Sequence, residues 1–109
     1  MRIDTKARSI PKAVKLRVAE RDSIDGWPCC TYCGRPSPEG GIEWSNAHYI
    51  SRAQGGLGIE ENTLTLCPDC HRRYDQSTDR EEMHPHFRAY LMEHYTRWDE
   101  SKLIYRKGR

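Results

Sequence analysis

The sequence predicts a small α+β fold in which two short strands and a helix are closed by a bound metal, with one helix before this core and another after it. Three observations predict it. Two Cys-x-x-Cys pairs, Cys30–Cys33 and Cys67–Cys70, stand 33 residues apart, from Gly34 to Leu66. Extended and helical hydrophobic patterns succeed one another between and after the pairs. No low-complexity linker is long enough to divide the 109 residues, so one domain is expected over 1–109. Within it, 1–26 is a basic arm and helix, 27–77 a metal-clamped core, and 78–109 a C-terminal helix and tail.

Two such pairs in one short chain have the spacing logic of a four-thiolate zinc site on Cys30, Cys33, Cys67 and Cys70. The competing reading is two disulfides in a secreted protein. No apolar stretch follows Met1-Arg2 to act as a signal peptide, so a reducing, cytoplasmic setting and a metal are expected instead. Cys29 is an odd fifth cysteine and reads as a spare thiol, with a register swap against Cys30 as the alternative. Hydrophobic residues are 36% of the chain and Phe occurs once, so the apolar core is small. Thiolate–metal bonds should then carry much of the folding free energy, and structural zinc contributes roughly 10–16 kcal/mol in small peptides.

Net charge is +2 but unevenly spread. Residues 1–21 hold seven basic side chains (Arg2, Lys6, Arg8, Lys12, Lys15, Arg17, Arg21) against Asp4 and Glu20. A basic arm on a near-neutral body suits a polyanion. A charged terminus is by itself more often just solvated, so this feature gains meaning only beside a site. No apolar run approaches the roughly 18 residues of a membrane span.

Ser9-Ile10-Pro11 reads as a helix start, with Ile10, Ala13, Val14 and Val18 on one face. Arg17 and Arg21 fall on the apolar side, either snorkelling or reaching towards phosphate. The helix should stop before Gly26-Trp27-Pro28. Pro28–Gly34 forms the first cysteine knuckle, and Pro36–Gly41 a tight loop. Ile42–Tyr49 is extended, with Trp44 in the core, and delivers His48 to a strand end. Arg52–Glu61 is a glycine-containing loop. Asn62 opens the strand Thr63–Leu66, where alternation places Leu64 and Leu66 on one face, and Asp69 to about Gln76 is a short helix. Pro85–Tyr95 is the clearest amphipathic helix, carrying Phe87, Tyr90, Leu91 and Tyr95, with Trp98 closing over its end. Leu103-Ile104-Tyr105 is a small apolar patch before the basic tail Arg106–Arg109. His84, His86 and His94 read as surface residues, with His84-Pro85-His86 at a helix start.

In order along the chain stand Cys30-Thr31-Tyr32-Cys33, Ala47-His48-Tyr49-Ile50-Ser51-Arg52 leading to Gly55-Gly56, Asn62-Thr63-Leu64-Thr65-Leu66, and Cys67-Pro68-Asp69-Cys70-His71. This series resembles the HNH endonuclease family over about Cys30 to Asp75, with the three letters of the name on His48, Asn62 and His71. The resemblance implies a ββα-metal (His-Me finger) core that cuts nucleic acid with one divalent ion. It also implies catalytic roles: His48 as general base, His71 as metal-binding histidine, and Asn62 either positioning the base and loop or ligating the metal. Imidazole titrates near neutrality, which suits a proton acceptor. An asparagine amide permits either of the two roles.

The departures are informative. Many family members carry an acidic residue or histidine just before the base, where it binds metal; here that position is Ala47. Ser51 stands where proline is common. Asp75, at i+4 from His71 on one helix face, is the natural replacement ligand. A carboxylate–imidazole pair with open positions suits Mg²⁺ or Mn²⁺, with Ni²⁺ or Zn²⁺ as other ions to test. Restoring a carboxylate at position 47 is expected to tighten the metal. DNA contacts are expected from Arg52, Lys12, Lys15 and Arg17. Stand-alone proteins of this type imply a role in phage DNA processing, restriction or mobile elements, with phage packaging or other DNA-processing proteins as partners; oligomeric state stays open. The alternatives are a zinc-clamped nucleic-acid-binding module without cleavage and a structural zinc domain joining proteins.

Overall fold

The computed structural model describes residues 7–105. Arg2 and Lys6 of the basic arm and the tail 106–109 lie outside them. Helix α1 spans Lys12–Arg21, with Pro11 extended at its N-cap. Val14, Val18 and Ala19 are its buried residues, whereas Ala13 is exposed. The inward stripe continues one turn on to Arg21, and its guanidinium neither snorkels nor reaches solvent phosphate. It pairs with Asp22 at 2.7 Å and donates to the carbonyls of Glu60 and Thr63 and to the Tyr95 hydroxyl. Asp22, 4% exposed, also accepts from the Thr65 amide and the Tyr90 hydroxyl. A buried ion pair persists because its remaining polar sites are satisfied, and this one ties α1 to the core and to the C-terminal helix. Arg17 lies beside Glu60 at 2.6 Å.

Strands β1 (Ser23–Ile24) and β2 (Trp27–Pro28) form an antiparallel hairpin. Its turn residues Asp25 and Gly26 have φ of 54° and 82°, the two positive values that an Asp-Gly hairpin turn supplies. Gly26-Trp27-Pro28 is therefore a hairpin arm as well as the stop for α1.

The centre is β–β–α as predicted. Strand β3 (Ala47–His48) pairs antiparallel with β4 (Thr63–Leu64), with Ala47 opposite Leu64 and His48 opposite Thr63. Helix α2 (Pro68–Gln76) follows. The expected alternation along Thr63–Leu66 is absent, because all four residues are 0–1% exposed. Both faces are covered, and the threonines survive burial through hydrogen bonds: Thr63 Oγ1 donates to the Ile59 carbonyl at 2.7 Å, and Thr65 Oγ1 pairs with Ser45 Oγ at 2.7 Å.

Helix α3 runs Arg80–His94, opening five residues before the expected start and enclosing Pro85. A proline so near the start removes one backbone bond, to Glu81. The buried stripe Met83, Phe87 and Leu91, one residue per turn, compensates. Phe87 meets Tyr74 of α2 edge-on at 4.9 Å. The Trp98 indole donates to the Glu61 carbonyl, and Leu103 is buried while Ile104 bridges to Gly56. No helix among the described residues is long and apolar enough to cross a membrane.

Candidate active site

The sulfurs of Cys30, Cys33, Cys67 and Cys70 all lie within 4.8 Å of one another. Cys33 Sγ and Cys67 Sγ are 3.7 Å apart. A tetrahedral zinc with bonds of about 2.3 Å needs sulfurs about 3.8 Å apart, so the set fits a structural zinc ion. Each knuckle is shaped by its own backbone: the Cys70 amide donates to Cys67 Sγ at 3.4 Å, and the Gly34 amide to the Cys30 carbonyl at 2.9 Å. Cys29 stands outside the set, its thiol donating to the Trp27 carbonyl.

Cys67 is also the N-cap of α2, and Pro68 opens its first turn. The clamp thereby fixes the helix that carries the next group. Along α2, Cys70 and Tyr74 are buried, while His71 and Asp75 face out of the core. His71 Nε2 and Asp75 Oδ2 are 2.9 Å apart. Two neighbouring ligands of an octahedral ion at about 2.1 Å are themselves about 3.0 Å apart, a spacing the pair matches. Both residues line an open cleft of about 560 Å³, together with His48, Asn46, Ser51, Arg52, Ser9 and Lys15.

His48 ends β3 and is only partly exposed. Its Nε2 lies 2.7 Å from the main-chain carbonyl of Arg8. A carbonyl only accepts, so Nε2 carries the proton and Nδ1 keeps its lone pair. Burial pushes the His48 pKa below the ordinary value, and the charge of Arg52 adds to this, while the Arg8 carbonyl and Asp75 pull the other way. A neutral imidazole with a free Nδ1 is a proton acceptor.

Asn62 is fully buried. Its Oδ1 accepts from the Ile50 amide at 2.8 Å, and its Nδ2 donates to the carbonyls of Ile50 and Leu57 at 3.2 and 2.9 Å. These three bonds join the chain just after His48 to the glycine loop. Ala47 is likewise 0% exposed and part of the hydrophobic core. A carboxylate introduced there would meet desolvation.

Of the expected nucleic-acid contacts, Arg52 and Lys15 line the cleft. Lys12 is exposed on α1 and Arg17 sits beside Glu60. Asn46, Ser9 and Ser51 were not foreseen at the cleft; Asn46 was findable, since period two puts it on the His48 side of the strand. His84 is no simple surface residue. It stacks on Tyr49 at 4.6 Å, with Nε2 2.8 Å from the Tyr49 hydroxyl and Nδ1 3.0 Å from that of Tyr74.

No curated protein matches the chain. Among family models, residues 30–77 match HNH endonuclease, a family of nucleases and nucleic-acid-binding domains. The matched span opens on the first clamp cysteine, ends just past Asp75 and holds His48, Asn62 and His71 in order, and over this segment the chain is similar to the HNH endonuclease family.

Proposed function

We propose that the chain is a metal-dependent DNA endonuclease in which His48 is the general base and His71 with Asp75 holds one divalent ion. The observation that carries the reading is the cleft itself. A neutral imidazole, a histidine–carboxylate pair 2.9 Å apart and two cationic side chains, Lys15 and Arg52, share one open wall-to-wall space of about 560 Å³.

Lys15 and Arg52 attract the phosphodiester into the cleft. His48 takes a proton from a water at Nδ1, so that oxygen attacks phosphorus while the P–O bond to the 3′ oxygen breaks. Asn62 holds the loop after His48, which keeps the base aimed. A divalent ion at His71 and Asp75, when bound, supplies the positive charge that offsets the charge developing on phosphate and leaving oxygen. The zinc clamp holds α2 and takes no part in the chemistry.

A second reading, a nucleic-acid-binding module without cleavage, is favoured by one observation: Ala47 lies in the core, which leaves the His71–Asp75 pair as the proposed protein ligands among the described residues. Plasmid nicking with Mg²⁺, Mn²⁺, Ni²⁺ or Zn²⁺ separates the two. Cleavage by the parent and a loss of about 10²–10⁴-fold in His48→Ala, with gel shifts of DNA retained, is the expected result. No nicking with any ion alongside intact DNA binding means the binding module is the correct reading.

A further inference from the structure

We propose that the segment 7–10, upstream of the family match, is a positioning strap that completes the site, with the Arg8 main-chain carbonyl as the group that orients the His48 imidazole. The proposal deepens the endonuclease reading and rests on it for the meaning of the base.

Three contacts seat the strap. The Gly58 amide donates to the Ala7 carbonyl at 2.9 Å. Arg8 Nη1 donates to the Arg52 carbonyl at 2.8 Å, at the rim of the cleft. The third is the His48–Arg8 bond at 2.7 Å. Beyond the strap, Pro11 caps α1, and Val14, Val18 and the Arg21–Asp22 pair anchor that helix in the core. Ser9 and Ile10 then form part of the cleft wall.

Gly58 makes this approach possible. A Cβ built on it would lie 1.9 Å from the Ser9 carbonyl oxygen and 2.4 Å from its carbon, both backbone atoms that cannot yield as a side chain would. The glycine therefore serves the approach of the strap to the glycine loop. An imidazole whose Nε2–H is claimed by a fixed carbonyl is locked in both tautomer and ring orientation, the same service that second-layer acceptors give to metal-bound histidines. The base is thus set from 40 positions upstream, by a backbone atom that the 30–77 segment lacks.

The test uses the zinc-loaded full chain and two substitutions, Gly58→Ala, which pushes the strap away, and Arg8→Ala, which removes its pin to Arg52. Long-range proton–nitrogen NMR of the imidazoles reads tautomers directly and needs no cleavage. The parent should show His48 as the pure Nε2–H form; Gly58→Ala should show mixed tautomers at His48, with Arg8→Ala intermediate. On a cleavable DNA, kcat should fall about 10–100-fold in Gly58→Ala while KM and the metal concentration needed stay near the parent's. Retention of zinc shows that the fold persists; if Gly58→Ala loses zinc, Arg8→Ala decides. A His48 that stays purely Nε2–H in every folded variant overturns the strap, whereas a tautomer shift without any cleavage in the parent upholds the strap and overturns only the endonuclease reading.

Discussion

The four-cysteine clamp and the cleft proposed to hold a divalent ion are carried partly by the same helix, and they differ in how completely the protein supplies ligands. The clamp presents four sulfurs within 4.8 Å, and Cys30, Cys67 and Cys70 are 0–3% exposed. The cleft pairs the His71 imidazole with the Asp75 carboxylate, 33% and 38% exposed. A tetrahedral ion closed by four thiolates has no position left for a reactant, which suits a structural role; a site with few protein ligands leaves positions for water and phosphate. The neighbouring residues Cys70 and His71 divide these roles because consecutive positions on a helix point about 100° apart. The clamp thus fixes the helix that also carries His71 and Asp75.

Breaking the clamp should give the largest effect. Structural zinc contributes roughly 10–16 kcal/mol in small peptides, comparable to the entire stability, about 5–15 kcal/mol, of an ordinary domain. Single serine substitutions at Cys30, Cys33, Cys67 or Cys70, or strong chelation, should abolish the folded circular dichroism signal. Metal analysis of the parent should return about one zinc per chain after dialysis. Cys29→Ser should leave both zinc content and fold in place, because that thiol stands outside the four-sulfur set and donates to the Trp27 carbonyl. A chelated chain that stays folded would contradict the closed-site side of the comparison.

The clamp was legible in the sequence because its information is local: each Cys-x-x-Cys places two sulfurs on one turn, and only the pairing of the two knuckles is long-range. The contact between His71 and Asp75 is legible for the same reason, since i+4 on a helix is a contact whatever the rest of the fold does. What sequence reading lost depends on distant partners. Arg21 was open between solvent and phosphate, and the choice was made by Asp22 together with Thr63, Tyr90 and Tyr95. Helix α3 was placed from Pro85 because proline marks helix starts, yet Met83 extends the buried stripe a turn earlier. The carbonyl of Arg8 has no sequence signature at all, because every residue has one. Gly58 looked like loop composition and is a packing requirement.

The open site is probed next by Asp75→Asn, which keeps the shape and removes the negative charge from beside His71. If the pair holds the ion, the metal concentration for half-maximal cleavage should rise at least about 10–100-fold, the cost of losing even an outer-sphere partner. DNA affinity measured without divalent ions should change little, since Lys15 and Arg52 remain. Titration of Mn²⁺ by its effect on water relaxation checks the same point without cleavage. An unchanged metal midpoint would show that Asp75 holds no ion, and the contrast between four ligands and two would then have to be redrawn.

The smallest expected effect concerns the proton of His48, and it sharpens the comparison by asking what the open cleft does to a group that the clamp does not touch. Burial is the leading cause that lowers its pKa from 6.5, with Arg52 acting in the same direction. A histidine lowered in the fold stays neutral while its unfolded counterpart begins to take up protons. Above the ordinary value both states are neutral and the fold loses nothing; as pH falls through 6.5 the unfolded chain binds the proton first, so stability declines until the folded pKa is passed. The catalytic consequence runs the other way: the base remains available below the pH at which an ordinary imidazole would be spent. Following the His48 ring proton by NMR, with the clamp zinc-loaded and no other divalent ion, should give a midpoint below 6.5. Arg52→Gln should raise that midpoint, since it removes a cation facing the ring, and should shift the acid limb of cleavage upward with it. A midpoint at or above the ordinary value would mean that the Arg8 carbonyl and Asp75, which favour the protonated ring, outweigh burial and the charge of Arg52.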